Sequence, residues 1–276
     1  MIFQAHHPVF PLDHFVENLI YFDGLTAPHN LDRFLPDGNT EIIINLTENP
    51  QYIYDNETLQ SIQTCRHAWV SGVRTKPITI PSGAGSRMLV VAFKKGRAHP
   101  FYRFPMSDIR DTVAEAHLVF GRHFCDLRDQ LLSETSVERM FQLVERFLLQ
   151  QACDMVQEND ATKCIEYAVS RMVRYPTQRC LYQLSDEIGY SQKHFIDLFR
   201  QQVGVTPKQY LKIMRFQKAI RAIESRRHRI HWSEIALESG YYDQAHFIYD
   251  FKFFSGFTPS EYLNRRTDTL NYVPVD

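Results

Sequence analysis

The residues best equipped for chemistry in this 276-residue chain are its five cysteines and twelve histidines. Cys65, Cys125, Cys153, Cys164 and Cys180 are scattered, odd in number and never spaced C-x-x-C. They outline neither a disulfide framework nor a thiolate zinc site and read as reduced thiols. Across residues 40–95, His67 stands alone, with no His-x-His pair to hold a metal. A basic run, Lys94-Lys95-Gly96-Arg97-Ala98-His99, lies near Arg87 and Arg103 in sequence. Of these, Arg87, Lys94 and Arg97 are candidates to receive an anionic effector, and a solvated charged loop is the plainer alternative. Nothing here calls for a cofactor or for catalysis.

If the chemistry is binding, charge should show where. The net charge of −1 conceals an asymmetry: residues 1–157 carry 14 Lys and Arg against 18 Asp and Glu, a balance of −4, while residues 158–276 carry 17 against 14, a balance of +3. That excess is too small for a nonspecific coat on a polyanion, so polyanion binding would rest on a few placed contacts. No stretch approaches the roughly 18 apolar residues of a membrane span, and the start lacks a basic segment followed by an apolar run. The expected location is the cytoplasm, with no membrane partner.

The elements that would position such contacts fall into two blocks. The first is β-rich: Glu41–Leu46, Ala68–Val73 and Met88–Phe93 are short apolar or alternating runs, separated by turn chemistry at Pro36-Asp37-Gly38 and Pro81-Ser82-Gly83. From about Pro105 the period becomes helical. The stripe Val137, Met140, Phe141, Val144, Phe147, Leu148 gives one continuous apolar helix face over about Ser136 to Gln151. That face either seams a homodimer or packs on the β-rich block. The polar stretch 150–163 is the linker candidate. It divides the chain into residues 1–155, a β-rich effector-binding and dimerisation domain ending in helices, and residues 160–268, an all-α domain.

The second block contains an internal repeat. Sliding Ser191–Leu211 by 52 positions onto Asp243–Leu263 pairs identical residues at ten of 21 positions, among them Gln192 with Gln244, His194 with His246, Phe195 with Phe247, Ile196 with Ile248 and Phe199 with Phe251. Gly204, Thr206, Pro207, Tyr210 and Leu211 repeat as Gly256, Thr258, Pro259, Tyr262 and Leu263. Upstream the offset is 51, aligning Leu184 with Ile235, Glu187 with Glu238, Gly189 with Gly240 and Tyr190 with Tyr241, so Tyr242 is an insertion in the second turn. Each unit reads as a helix, a glycine turn (Gly189, Gly240) and a second helix capped by Ser191 or Asp243. That pattern suits an αα-hairpin. The short turn, and a second helix with a narrow apolar face opposite a polar one, favour a helix-turn-helix. Each unit ends in a capping box with Pro at the first helical position, Thr206-Pro207-Lys208-Gln209 and Thr258-Pro259-Ser260-Glu261. The helix begun at Pro207 runs through roughly Glu224, about 27 Å long at roughly 1.5 Å per residue, a strut between two readers.

The stretches GYSQKHFIDLFRQQVGVTPKQYLKIMRFQKAI and IALESGYYDQAHFIYDFKFFSGFTPSEYL closely resemble the two helix-turn-helix units of AraC/XylS-type transcription regulators, over about residues 165–265. RFLPDGNTEIIINL and WVSGVRTKPITIPSGAGSRMLVVAF are similar, more weakly, to an uncharacterised sensor domain found before that module. The resemblance implies an α+β chain: a cupin-like, β-rich N-terminal domain, then two helix-turn-helix units joined by a long helix. It implies promoter or operator DNA as partner, a small-molecule effector, RNA polymerase and a homodimer, in a bacterial sequence-specific regulator.

By the same resemblance the first recognition helix presents Ser191, Gln192, Lys193, Ile196 and Asp197, with Arg200 toward phosphate. The second presents Asp243, Gln244, Ala245, Ile248 and Tyr249, with Lys252 toward phosphate. Asp197 and Tyr249 stand where many relatives have arginine, the usual reader of guanine. Ile196 and Ile248 either touch thymine methyls or pack on the adjacent helix. His194 and His246, beside Phe195 and Phe247, read as filling the core rather than as metal ligands. Arg215 either touches phosphate or pairs with an acidic neighbour. Two alternatives stay open: an architectural DNA binder without effector, with salt-dominated binding, and a cupin-type enzyme fused to a DNA-binding domain.

Overall fold

The computed structural model describes residues 1–152, 160–177, 181, 183–184, 187–226 and 230–275. Alternating side chains build the first block, as the period-two runs require. β1 (Ile2–His6), β2 (Val16–Asp23), β9 (Arg87–Phe93), β4 (Glu41–Asn45), β7 (Ala68–Ser71) and β10 (Val113–Glu115) form a six-stranded antiparallel sheet in that spatial order. A second antiparallel sheet runs β11 (Tyr272–Pro274), β3 (Leu31–Phe34), β8 (Ile78–Pro81), β5 (Gln51–Tyr54) and β6 (Ser61–Cys65).

Helices α1 (Ala116–Phe120), α2 (Arg122–Ser133) and α3 (Val137–Ala152) follow. Leu19, Ile42, Ile44, Val70, Leu89 and Val91 from the larger sheet share one buried core with Phe124, Leu131, Met140, Phe141, Val144, Phe147 and Leu148 from the helices. The α3 stripe is therefore consumed inside the protomer. A dimer seam along that face is not available, because the sheet already removes it from water.

Beyond α4 (Asp160–Arg174) come α5 (Gln192–Val203), α6 (Pro207–Glu224), α7 (Trp232–Glu238), α8 (Gln244–Ser255) and α9 (Pro259–Arg265). The strut is α6, with the bounds its capping box and Pro207 dictate. Its apolar residues Leu211, Met214, Ala219 and Ile223 lie in one core with Phe195, Phe199, Phe247 and Phe251 of both units. The linker centre, residues 153–159, lies outside the described residues, as do Cys153 and Cys180. No helix among the described residues is long and apolar enough to cross a membrane.

The two blocks meet over a broad contact. Leu35, Val73 and Val273 of the β-rich part belong to the helical core. Beyond α9 the chain returns to the smaller sheet, where β11 pairs with β3 and the Leu35 amide donates to the Asn271 carbonyl at 2.9 Å. The Pro36-Asp37-Gly38 turn is docked on α6, where Gln217 Nε2 donates to the Pro36 carbonyl at 2.8 Å, and Lys95 Nζ donates to the Asp37 carbonyl and to Asn39 Oδ1, both at 2.6 Å.

Candidate nucleic-acid interface

Both candidate recognition helices start on the same local device. The Ser191 hydroxyl accepts from the His194 amide at 3.3 Å, and Asp243 Oδ1 accepts from the His246 amide at 2.7 Å. These side chains cap α5 and α8, satisfying amides that lack a helical partner. Gly189 and Gly240 precede them at φ +72° and +87°, the left-handed turn that aims the second helix away from the first. The capping boxes close in both units: Gln209 Oε1 accepts from Thr206, and Glu261 Oε2 from Thr258.

The duplicated caps leave equivalent surfaces open. On α5, Gln192, Lys193, Asp197 and Arg200 are exposed on one side, and Phe195 and Phe199 are buried on the other. On α8, Gln244, Ala245, Tyr249 and Lys252 are exposed over buried Phe247 and Phe251. Ile196 and Ile248 are half-buried, and Ile248 packs against the helical core. Ala245, Ile248, Tyr249, Lys252 and Phe253 together line an open cleft. Phe253, half exposed, was not among the sequence candidates; its place in the repeat, opposite Gln201, was the available signal.

The histidines divide. His194 is exposed at the rim, edge-on to Tyr190 at 4.8 Å, rather than in the core. His246 is half-buried, with Nε2 3.4 Å from Asp250 Oδ2 and its ring edge-on to Tyr241. Among the described residues no group of three His, Cys, Asp or Glu is placed to hold a metal.

Arg215 does not reach the surface. It is 2% exposed, with its guanidinium 5.6 Å from the Tyr241 ring centre, so the phosphate role is corrected to an internal one. Burial lowers its pKa, and Tyr241 and Asp250 act in the opposite sense. Asp250, equally buried, accepts from Lys212 Nζ at 3.1 Å. The helix period placed Arg215 on the strut but could not show that the second unit folds over it.

The three effector candidates do not converge. Arg87 opens β9 and Lys94 follows its end, separated by seven residues of extended chain, about 23 Å at roughly 3.3 Å per residue. Arg97 is committed elsewhere: Nη1 donates to the His14 carbonyl at 2.7 Å and Nη2 lies 3.4 Å from Glu166 Oε2. It joins the β-rich block to α4.

Comparison with known proteins agrees with the repeat. Residues 184–265 match the family described as a helix-turn-helix domain, and residues 4–115 match a domain of unknown function, DUF6597. An uncharacterized HTH-type transcriptional regulator of Haemophilus influenzae is 34% identical over 80 residues, 29% of this chain. The chain spans about a quarter (26%) of the length of that curated relative. Among solved structures, ToxT from Vibrio cholerae is 12% identical with a TM-score of 0.46, covering 96% of this chain and 98% of that one. The C-terminal domain of AraT, a response regulator from Geobacillus stearothermophilus, is 22% identical with a TM-score of 0.35, covering 41% and 91%. The duplicated caps and turns and the family match together identify residues 184–265 as a helix-turn-helix domain.

Proposed function

We propose that this chain is a sequence-specific DNA-binding transcription regulator whose helices α5 and α8 enter two adjacent major grooves from one face of the duplex. The observation that carries this reading is the duplication of an outward-facing, side-chain-capped helix at matched positions, held on one 18-residue strut. Successive grooves on one face lie roughly 34 Å apart, a separation that a strut of about 27 Å with a helix on either side suits. Residues 1–155 and 160–268 are then the regulatory and reading parts. The regulatory part touches both readers: Arg33 of β3 stacks on Phe257 after α8 at 4.8 Å, and the turn at Met106–Ile109 packs on α5.

Selection of bound sequences from a random duplex pool tests this. The expected product is a bipartite site with half-sites about one helical turn apart. A pool without enrichment, bound only at low salt, would establish an architectural binder instead.

A further inference from the structure

The two recognition helices share a scaffold but not a surface chemistry. Lys193, Asp197 and Gln201 lie four residues apart, on one stripe of α5. The repeat places Ala245, Tyr249 and Phe253 on the same stripe of α8. The three polar positions are replaced by a methyl, a phenol and a phenyl ring, while Gln192, Ile196 and Arg200 keep their kind as Gln244, Ile248 and Lys252. The stripe remains in water: Tyr249 is 71% exposed and Phe253 47%. With Ile248 and Lys252 it lines one open cleft on the solvent side of α8.

We propose that α8 reads the C5-methyl groups of thymine, so that the half-site facing the second unit is recognised by apolar contact and the half-site facing α5 by polar contact. This rests on the DNA-binding reading above and names what the second reader recognises. The occupant follows from the neighbours: the stripe is continuous with Gln244 and flanked by Lys252, an amide and a cation suited to base edges and phosphate. The thymine methyl is the apolar group that the major groove displays. Tyr249, standing where a charged residue occupies the first helix, sets this preference with Phe253.

The test replaces thymines of the selected site by deoxyuridine one at a time, which removes the methyl and leaves pairing and O4 unchanged. Each contacted methyl in the second half-site should cost about fourfold in affinity, the equivalent of one buried methylene at roughly 0.8 kcal/mol. Substitutions in the first half-site should change affinity less than twofold. In the Tyr249→Ser and Phe253→Ser variants, exposed positions whose folding circular dichroism checks, the sensitivity to deoxyuridine should vanish. Specific binding that ignores deoxyuridine throughout the second half-site, or variants that bind the natural site unchanged, would overturn thymine reading while leaving the DNA-binding reading intact. A protein that selects no site at all would instead overturn that underlying reading.

Discussion

Gln217 Nε2 donates to the Pro36 carbonyl oxygen at 2.8 Å, joining the middle of the strut to a turn 181 residues earlier in the chain. The same amide donates to Asn271 Oδ1 at 2.9 Å, just before β11. One buried side chain thus gathers the strut, the β-rich turn and the returning C-terminal segment. A polar residue inside an apolar core specifies a single docking arrangement, since other placements leave its partners unsatisfied.

Gln217→Leu should therefore destabilise the whole chain, not one block. Removing the donor strands the buried Pro36 carbonyl, at a cost of about 1–3 kcal/mol. Urea unfolding followed by circular dichroism should show one transition at a lower midpoint. An unchanged midpoint would mean that solvent reaches the Pro36 carbonyl.

Gly189 and Gly240 occupy equivalent left-handed turns in unequal surroundings. A Cβ on Gly189 would meet nothing within 4 Å, whereas on Gly240 it would lie 2.9 Å from the Pro176 carbonyl oxygen. Gly189→Ala should cost only the backbone penalty, about 1–2 kcal/mol, and Gly240→Ala clearly more. Thermal melting of the pair decides the matter; equal losses would remove the close approach from the account.

The exposed reader residues should separate by role. Lys193→Ala and Gln244→Ala should each weaken binding to the selected site by about 1–3 kcal/mol and relax preference at different base positions. Lys252→Ala should weaken all duplexes alike and reduce the salt dependence. Equal losses on specific and random DNA for the first two variants would displace them from the base-reading surface.

Stability should also respond to pH through Glu41. Burial, reinforced by Asp37 and opposed by Lys95, holds its carboxyl up to about 8 against an ordinary 4.5. The folded chain then keeps a proton that the unfolded chain releases, so this contribution is full below 4.5 and declines as pH rises through 8. In Glu41→Gln the decline between those values should flatten when urea midpoints are measured across the range. Parallel profiles for the two proteins would assign the decline to other groups.

The elements readable from the sequence are those whose causes are local. Thr206-Pro207 and Thr258-Pro259 announce helix starts because the capping bonds span three residues, and the fifty-two-residue repeat displays its own symmetry. What stayed hidden depends on partners distant in sequence. The α3 stripe was visible as apolar, but apolarity does not say whether a sheet or a second copy covers it. Arg215 looked available because charged residues usually face water, and only the folding of Tyr241 and Asp250 over the strut reveals otherwise. Arg87, Lys94 and Arg97 are near in sequence yet spread along a strand and an interdomain bond. β11 carries three residues, too few for periodicity to register.

That short strand makes the reading module an insertion rather than an appendage. β3 finds its partner in β11 only after about 240 intervening residues, so the smaller sheet of the β-rich part is completed by the segment synthesised after both readers. On the ribosome the sheet must wait, its β3 edge unpaired, until the helical units have emerged. Contacts this distant in sequence slow folding by the closure entropy they demand. The order of synthesis consequently places both capped helices, α5 and α8, ahead of the strand that finishes the sheet.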